Sequence, residues 1–486
     1  MKYVLSEREP KLACKYFEEL AAIPRGSRNE LEAAKFVEAR AKELGLFVVR
    51  NDMHDVYVRK PATPGYEHLP SLLLQAHLDM VCEKNADSAH DFTKDGLDLV
   101  LNGDILTANG TTLGADDGKG CAYMLALMDE DSDKFPHPQL EFLFTSCEEV
   151  GFFGALAQDY SLISARRMIG LDAGPEDAVS TTSAGAQEVN LFVPVEYEDA
   201  CGDVLKVSVG GLLGGHSAMC ITDEKANANK LMARLLHNAS TVADFRLCNI
   251  KGGLMFNAIP REAVAVVAVK PEDKDAFVGK INEVYEALKV EYAASDKNLT
   301  VTVENAEADK MFTAKLTKTV IDTMYLVYNG VLMMNKLVDG LPVTSTNMGV
   351  VKTLEDKVQI VTFTRSSSKT LNDELVEHMT YTAKLCGMTE VKLGDWLAAW
   401  PYNPDSKMRA LAQRMYKEKH GKEMREIAVH GGLELGLFSE RMPGMDIVTL
   451  GPNGGDAHTI TEWMDMASFE RVYNFIKEFI EELTKE

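Results

Sequence analysis

The segment Leu72–Met80, LLLQAHLDM, constrains the fold more than any other stretch of the sequence. Its first residues are apolar and predict a short strand that is buried on both faces. His77 and Asp79 follow directly at the end of this strand, where one intervening residue leaves both side chains on the same side. Ligands bind at the carboxyl ends of strands in open α/β sheets, so the segment predicts an α/β fold and a candidate site. A single strand-terminal histidine is more often structural, and further ligands are needed to decide.

Composition excludes several classes of protein. With 486 residues the chain is expected to form two or three domains. Its 74 acidic and 51 basic residues give a net charge of -23, which argues against nucleic acid or an anionic membrane as a partner. We find no apolar run of signal-peptide or membrane-spanning length and therefore expect a cytoplasmic protein. The eight cysteines are scattered without a C-x-x-C pair, which favours free thiols.

Other predicted strands also end beside histidine or acidic residues. Strand Leu140–Thr145 precedes Glu148 and Glu149, RMIGL precedes Asp172, and MDIVTL precedes a glycine-rich loop with His458. Asp116 lies in GADDG, at the start of an apolar helix, where capping of the helix N-terminus is an alternative to metal binding. Carboxylates that converge at one edge of a sheet repel one another unless a cation neutralises them. The pattern therefore favours a metal site.

Two imidazoles and three carboxylates suffice for two divalent metal ions if one carboxylate bridges them. Zn²⁺ is the expected metal, and Co²⁺ or Mn²⁺ would also suit these ligands. Glu148 is next to a ligand but is not needed as one, so it is left to act as general base. The expected ligands are His77, Asp116, Glu149, Asp172 and His458.

The pattern of predicted strands and helices changes twice along the sequence. We expect a first catalytic part at 1–187, an inserted domain at 188–397 and a second catalytic part at 398–486. The insert contains an approximate repeat of β-rich segments and amphipathic helices, with halves near 200–305 and 310–397.

Five motifs, AHLDM, GADDG, CEEVG, LDAG and GDAH, together resemble the metal-site motifs of the aminoacylase/carnosinase family of cocatalytic zinc metallopeptidases. The resemblance implies a di-zinc peptidase domain with a mixed central sheet, interrupted by a lid domain. It implies that Asp116 bridges the metals, that His77 and Asp172 complete one site, and that Glu149 and His458 complete the other. It further implies that Asp79 supports His77, that Glu148 is the base, and that the peptide between the two GADDG aspartates is cis.

The lid adds further matches to this family. GGHSA places His216 as the oxyanion-stabilising histidine, FNAIP places Asn257 near the substrate, and TRSSS places Arg365 to bind a substrate carboxylate. Gly431 and Gly432 of HGGLELG offer backbone donors nearby. The large lid, with a duplicated ferredoxin-like core, is most similar to a bacterial dipeptidase branch, which implies hydrolysis of unblocked dipeptides, including Xaa-His and β-alanyl-histidine.

Three other functions stay open at this stage. A deacylase or carboxypeptidase would bind an acyl group or longer peptide, and a di-zinc aminopeptidase would process longer peptides. A non-catalytic peptide-binding protein belongs to a different class, and retention of Glu148 argues against it. Some relatives supply the lid histidine from a second subunit, so a homodimer is among the expected partners. The duplicated lid offers the alternative that His216 acts within one chain.

Overall fold

The computed structural model describes residues 3–485 and divides into two compact units. The first unit comprises the chain up to Thr182, Tyr402–Ala428 and the chain from Leu437 onward. The second unit comprises Ser183–Pro401 and Val429–Gly436.

These bounds differ slightly from the expected domain boundaries after 187 and 397. The short segment Val429–Gly436, which we expected in the catalytic part, groups with the second unit. Backbone hydrogen bonds explain this, because the N–H of Ala184 donates to the carbonyl oxygens of Val429 (3.1 Å) and Gly431 (2.9 Å).

A mixed six-stranded sheet forms the centre of the first unit. Its last four strands are mutually parallel, and the first two are antiparallel to their neighbours. Strand Leu72–His77 is buried at every position, as its continuous apolar pattern predicts. In spatial order the strands are Phe47–Arg50, Val56–Lys60, Leu140–Thr145, Leu72–His77, Arg167–Gly170 and Asp446–Thr449.

Helices cover this sheet, and their apolar faces complete one hydrophobic core. Tyr123 and Phe469 from two of them pack with ring centroids 4.5 Å apart. A smaller sheet contains Gly454–Gly455, Trp463–Asp465, Ile105–Ala108 and Leu99–Asn102, and Ala178–Ser183 pairs with Arg425–Val429. The helices are Lys11–Ala21, Leu31–Glu43, Ala115–Asp129, Phe153–Ala157, Lys407–His420 and Met466–Glu482, and Leu435–Arg441 spans the boundary between units.

The helix Ala115–Asp129 begins within the GADDG motif, in agreement with the prediction that this motif lies at a helix start. Asp116 and Asp117 interrupt its first turn with non-helical backbone angles. The Asp116–Asp117 peptide is cis, as the family resemblance implied.

One large sheet also forms the core of the second unit. In spatial order its strands are Thr300–Asn305, Asp203–Gly210, Ala263–Val269, Phe245–Gly252, Pro342–Thr353, Lys357–Ser366, Gly185–Pro194 and Glu390–Leu393. Strand Gly330–Met334 also pairs with Pro342–Thr353, and short ladders join Tyr197–Asp199 to Lys310–Phe312 and Gly215–His216 to Ala258–Ile259. The main helices are Ala228–Ala239, Lys274–Glu291, Ala314–Leu326 and Lys369–Cys386.

Each half of this sheet has the strand order 4-1-3-2 of a βαββαβ unit, which is the ferredoxin-like arrangement. The first half is continuous in sequence from 203 to 305. The second half takes Gly185–Pro194 as its first strand, so the first half is inserted after that strand. The expected second half, near 310–397, therefore lacks one strand that lies earlier in the chain.

A search of residues 3–485 finds no helix that is both long and apolar enough to cross a membrane. All eight cysteines are free thiols.

Candidate metal centre

His77 is the last residue of the central strand of the first unit, and its flanking strands are parallel to it. The carboxyl ends of these three strands therefore meet at one edge of the sheet. Glu149 and Asp172 follow the two flanking strands at this edge, and His458 follows the edge strand Asp446–Thr449. Parallel pairing is thus the reason that residues far apart in sequence converge.

One group of candidate ligands contains His77, Asp116 and Asp172. The Nε2 atom of His77 lies 3.0 Å from Oδ1 of Asp116 and 3.9 Å from Oδ2 of Asp172. All three ligand atoms lie within 4.8 Å of one another, a spacing that one ion can span.

A second group contains Asp116, Glu149 and His458. The Nε2 atom of His458 lies 3.3 Å from Oδ2 of Asp116 and 3.0 Å from Oε2 of Glu149. Asp116 therefore directs one oxygen towards each imidazole, as a carboxylate that bridges two metal ions must. The structure brings together all five ligands that the sequence predicts.

Glu148 lies beside this pair of groups. It forms a third set with His77 and Glu149, whose ligand atoms are within 4.8 Å of one another. Each of the other two groups contains three candidate ligands without Glu148, so its carboxylate is not required as a ligand in either.

Asp79 is fully buried beneath the candidate ligands. Its Oδ1 lies 3.6 Å from Nδ1 of His77, which agrees with the supporting role that the sequence suggests. It also accepts hydrogen bonds from the backbone N–H groups of Glu148 (3.0 Å) and Glu149 (3.3 Å) and from the hydroxyl of Ser27 (2.7 Å). Asp79 therefore contacts both the candidate ligand His77, whose Nδ1 lies 3.2 Å from the backbone oxygen of Asp79, and the backbone of the two glutamates.

The electrostatics of the site fit bound cations. Hydrogen bonds to Asp116 and Glu149 raise the pKa of His458 to about 10. Burial would lower the pKa of His77, but the nearby carboxylates of Asp116 and Asp79 raise it well above its ordinary value. Burial and the charge of Asp116 raise the pKa of Asp172 to about 7. Protonated imidazoles thus offset the negative charge of the carboxylates. Bound divalent ions would supply this positive charge instead.

Glu462 is a buried residue of the site that the sequence did not single out. Its Oε2 accepts hydrogen bonds from the N–H groups of Leu113 (2.8 Å) and Gly114 (2.9 Å), and its Oε1 accepts one from Asp116 (3.2 Å). It lies four residues after His458 on the same loop. Glu462 therefore ties the segment carrying one predicted ligand to the segment carrying another.

Two buried cations near the site were also missed. Lys119 places its Nζ 3.3 Å from Oδ1 of Asp117 and 3.5 Å from Oδ1 of Asp172. Arg25, from the IPRGS segment, donates to the carbonyl oxygens of Leu78 (2.8 Å) and Asp79 (3.1 Å). Neither residue follows a strand end, so no local pattern could have identified it.

Cys147 precedes the two glutamates, but its surroundings argue against a nucleophile. Its thiol donates to Oε1 of Glu30 at 3.3 Å. Burial and this carboxylate raise the pKa of Cys147 to about 12, which keeps the thiol protonated.

In the second unit, Arg365 is a buried cation that contacts no acidic side chain. It is 5% exposed, and its pKa reflects burial alone, with no contribution from an Asp or Glu among residues 3–485. Its Nε donates to the hydroxyl of Ser217 at 3.3 Å, and its guanidinium lies over the ring of Phe363. Burial lowers the pKa of Arg365 to about 10. A buried guanidinium without a counter-ion is a suitable site for a carboxylate ligand.

In the second unit, His216 ends the short strand Gly215–His216, and Asn257 immediately precedes the partner strand Ala258–Ile259. His216 pairs with Ala258, and the N–H of Ser217 donates to the carbonyl oxygen of Asn257 at 2.9 Å. The His216 ring is exposed, and its pKa is lowered by partial burial and by Arg365. This ladder brings His216, Asn257 and Ser217 into one region of the unit.

Gly431 and Gly432 follow a buried histidine, His430, that the sequence did not single out. The Nε2 of His430 lies 2.7 Å from the hydroxyl of Ser345, and its Nδ1 has no hydrogen-bond partner in the described structure. Burial and the charge of Arg365 lower the pKa of His430 to about 3, so the ring is neutral near pH 7. A Cβ atom at Gly432 would lie 2.5 Å from Cδ2 of Leu397, so a larger residue there would require the Leu397 side chain to move.

Comparison with known proteins gives consistent results. The family described as Peptidase family M20/M25/M40 matches residues 73–482. The cytosol non-specific dipeptidase of Escherichia coli (strain K12) is 34% identical over 482 residues, which cover 99% of each chain. The aminoacylhistidine dipeptidase structure from Vibrio alginolyticus superposes with a TM-score of 0.93 at 31% identity and covers 98% of each chain. The aminopeptidase PepT structure from Bacillus cereus, at 16% identity and a TM-score of 0.58, shares the fold.

Proposed function

The chain belongs to the peptidase family M20/M25/M40 and is therefore a peptide-bond hydrolase, and we propose that its substrates are unblocked dipeptides, including Xaa-His dipeptides such as β-alanyl-histidine. The observation that carries the chemistry is Asp116, which directs one oxygen to each of two imidazoles beside Glu148. The names of the E. coli and Vibrio relatives, which match along almost the whole chain, support dipeptides as substrates.

Two divalent ions fit the five ligands, and we propose that both are Zn²⁺. His77, Asp116 and Asp172 would hold one ion, and Asp116, Glu149 and His458 the other. When bound, the ions lower the pKa of water and polarise a carbonyl group. Imidazole and carboxylate ligands also accept Co²⁺ and Mn²⁺, so metal identity needs direct measurement.

Individual residues of the chain then have separate roles in hydrolysis. Glu148 takes a proton from the attacking water and returns it to the leaving amine. Asp79 keeps His77 and the backbone of Glu148 in place. Arg365 binds the free carboxylate of the dipeptide, and His216 donates a hydrogen bond to the oxyanion of the tetrahedral intermediate. Asn257 and the backbone N–H groups of Gly431 and Gly432 contact the substrate.

The name of the E. coli relative also supports a cytoplasmic location for this protein. Whether His216 serves its own chain or a second subunit of a homodimer is testable by mixing two inactive variants, His216→Ala and Glu148→Ala. Recovery of activity on mixing would support action between subunits.

The experiment that tests the function compares four substrates with metal-stripped and zinc-restored protein. The substrates are β-Ala-His, Leu-Gly, a tripeptide and an N-acetyl amino acid. We expect zinc-dependent cleavage of the two free dipeptides alone. Cleavage of only the acetylated substrate would identify a deacylase, and cleavage of the tripeptide would favour an aminopeptidase. A metal-loaded protein that cleaves none of them would point to a peptide-binding function.

A further inference from the structure

Four consecutive backbone N–H groups, those of residues 146–149, each donate to a buried carboxylate. Ser146 donates to Oδ1 of Asp55 at 2.9 Å, and Cys147 donates to Oε1 of Glu30 at 3.0 Å. The two that follow donate to Asp79, as described above. We call Glu30, Asp55 and Asp79 the carboxylate clamp.

Glu30 and Asp55 lie outside both ligand groups, and each is 1% exposed. Asp55 also accepts from the hydroxyl of Ser146 (2.8 Å) and from the side-chain amide of Asn51 (2.8 Å). Glu30 also accepts from the N–H of Arg28 (2.8 Å). Burial of two charged groups is costly unless hydrogen bonds compensate it, so these side chains need a reason beyond packing.

The backbone of residues 146–149 has little room to change its conformation. Cys147 has a φ of 53°, in the left-handed region that residues with a side chain seldom occupy. A Cβ atom at Gly154 would lie 2.1 Å from Oδ1 of Asp55 and 2.5 Å from the carbonyl oxygen of Ser146, so the neighbouring backbone approaches as closely as a glycine allows. The hydrogen bonds to carboxylates compensate for this backbone conformation.

We propose that Glu30 and Asp55 are positioning residues for peptide hydrolysis, because they hold the backbone from which the Glu148 side chain projects. The inference rests on the proposed function, in which Glu148 is the general base. Hydrogen bonds to ionised acceptors are stronger than those to neutral ones. An amide in place of either carboxylate therefore keeps the shape of the side chain but weakens its hydrogen bonds to the backbone. Proton transfer depends steeply on the distance between donor and acceptor, so a small displacement of Glu148 slows the chemical step.

The test compares Glu30→Gln and Asp55→Asn with the control Glu18→Gln. Glu18 is also 1% exposed, and its Oε1 accepts from the N–H groups of Val4 and Leu5, but it contacts neither the metal ligands nor the backbone of residues 146–149. We expect kcat for β-Ala-His or Leu-Gly to fall about 10-fold in the first two variants with KM nearly unchanged. All three variants should bind two zinc ions, and Glu18→Gln should keep the kcat of the wild type.

Three results would overturn the inference. One is a kcat equal to that of the control variant, another is a loss of activity that parallels a loss of bound zinc, and the third is a rise in KM with unchanged kcat. A variant that unfolds is replaced by Glu30→Asp, which keeps the charge and should retain more activity than Glu30→Gln in the folded fraction. An inactive zinc-loaded wild type would instead contradict the proposed function, so the two failures are distinguishable.

Discussion

The two units contain polar clusters of opposite character. In the first unit, three carboxylates and two imidazoles surround one small region, so the cluster is short of positive charge and suits cations. In the second unit, Arg365 is buried beside the neutral His430 without an acidic partner, so that cluster suits an anion. In the proposed function, cations in the first cluster would polarise the carbonyl group of a dipeptide and Arg365 would bind its carboxylate, so each cluster can be tested by its own substitution.

The largest effect is expected from the base in the first unit. Glu148→Ala should lower kcat by about 10³-fold, because proton transfer from water loses its acceptor, while the protein still binds two zinc ions. Steady-state kinetics with metal analysis measures both quantities. The matched control is the neighbouring Glu149→Ala, which removes a ligand and should lose both activity and zinc. Substantial activity in Glu148→Ala would refute the role of this residue.

The second prediction concerns the cation of the other cluster. Arg365→Met keeps an apolar stem in the buried site and removes the charge, so kcat/KM for dipeptides should fall roughly 100-fold, or about 2–3 kcal/mol. The same substitution should change hydrolysis of a C-terminally amidated dipeptide only slightly, because that substrate has no carboxylate to bind. Arg246→Met, which removes an arginine paired with Asp244, is the control and should retain activity. An equal loss for both substrates would contradict carboxylate recognition.

The candidate ligands could be predicted from the sequence, whereas the residues that support them could not. The predicted ligands stand within a few residues of a strand end or a helix start, so a local change from apolar to polar residues marks them. The residues that support them, such as Glu462 and Glu30, act through contacts with distant segments of the chain. In a chain with 74 acidic residues, nothing local distinguishes these carboxylates from those on the surface.

For the fold, too, local features could be predicted from the sequence and non-local pairings could not. The predicted strand Leu140–Thr145 is confirmed, because its apolar pattern is local. The pairing of Gly185–Pro194 with Lys357–Ser366 is not local, since a complete half of the sheet lies between them in sequence. The internal repeat was visible as a pattern, but the strand that completes its second half could be assigned only from the sheet order.

A third prediction tests whether a supporting carboxylate tunes the metal cluster. Glu462→Gln should weaken binding of one zinc ion about 10-fold, because the segment that carries Asp116 loses a charged acceptor of three N–H bonds. Competition with a chelator, followed by zinc analysis, measures this affinity. The control is Glu18→Gln, which removes a comparable buried charge away from the ligands. Unchanged zinc affinity would leave Glu462 with a purely structural role.

The smallest effect is expected from His430. Its pKa is about 3 in the folded protein because burial and Arg365 oppose a charge, whereas an unfolded histidine titrates near its ordinary value of 6.5. Below pH 6.5 the unfolded chain therefore binds a proton that the folded chain does not, and stability falls as the pH decreases towards 3. Between about pH 6.5 and pH 5 the loss attributable to this residue should be about 2 kcal/mol or less.

Urea denaturation of the wild type and of His430→Asn at these two pH values measures that difference. Asparagine keeps a polar group near Ser345 and does not titrate, so the variant should lose less stability on acidification than the wild type. His137 in the first unit serves as the comparison, because burial also lowers its pKa, to about 4, and Arg365 does not contribute to that shift. Equal acid sensitivity of the wild type and His430→Asn would mean that His430 takes up its proton as readily in the folded as in the unfolded protein and is therefore charged at pH 5. The second cluster would then contain two cations, and its preference for a substrate carboxylate would be stronger than proposed.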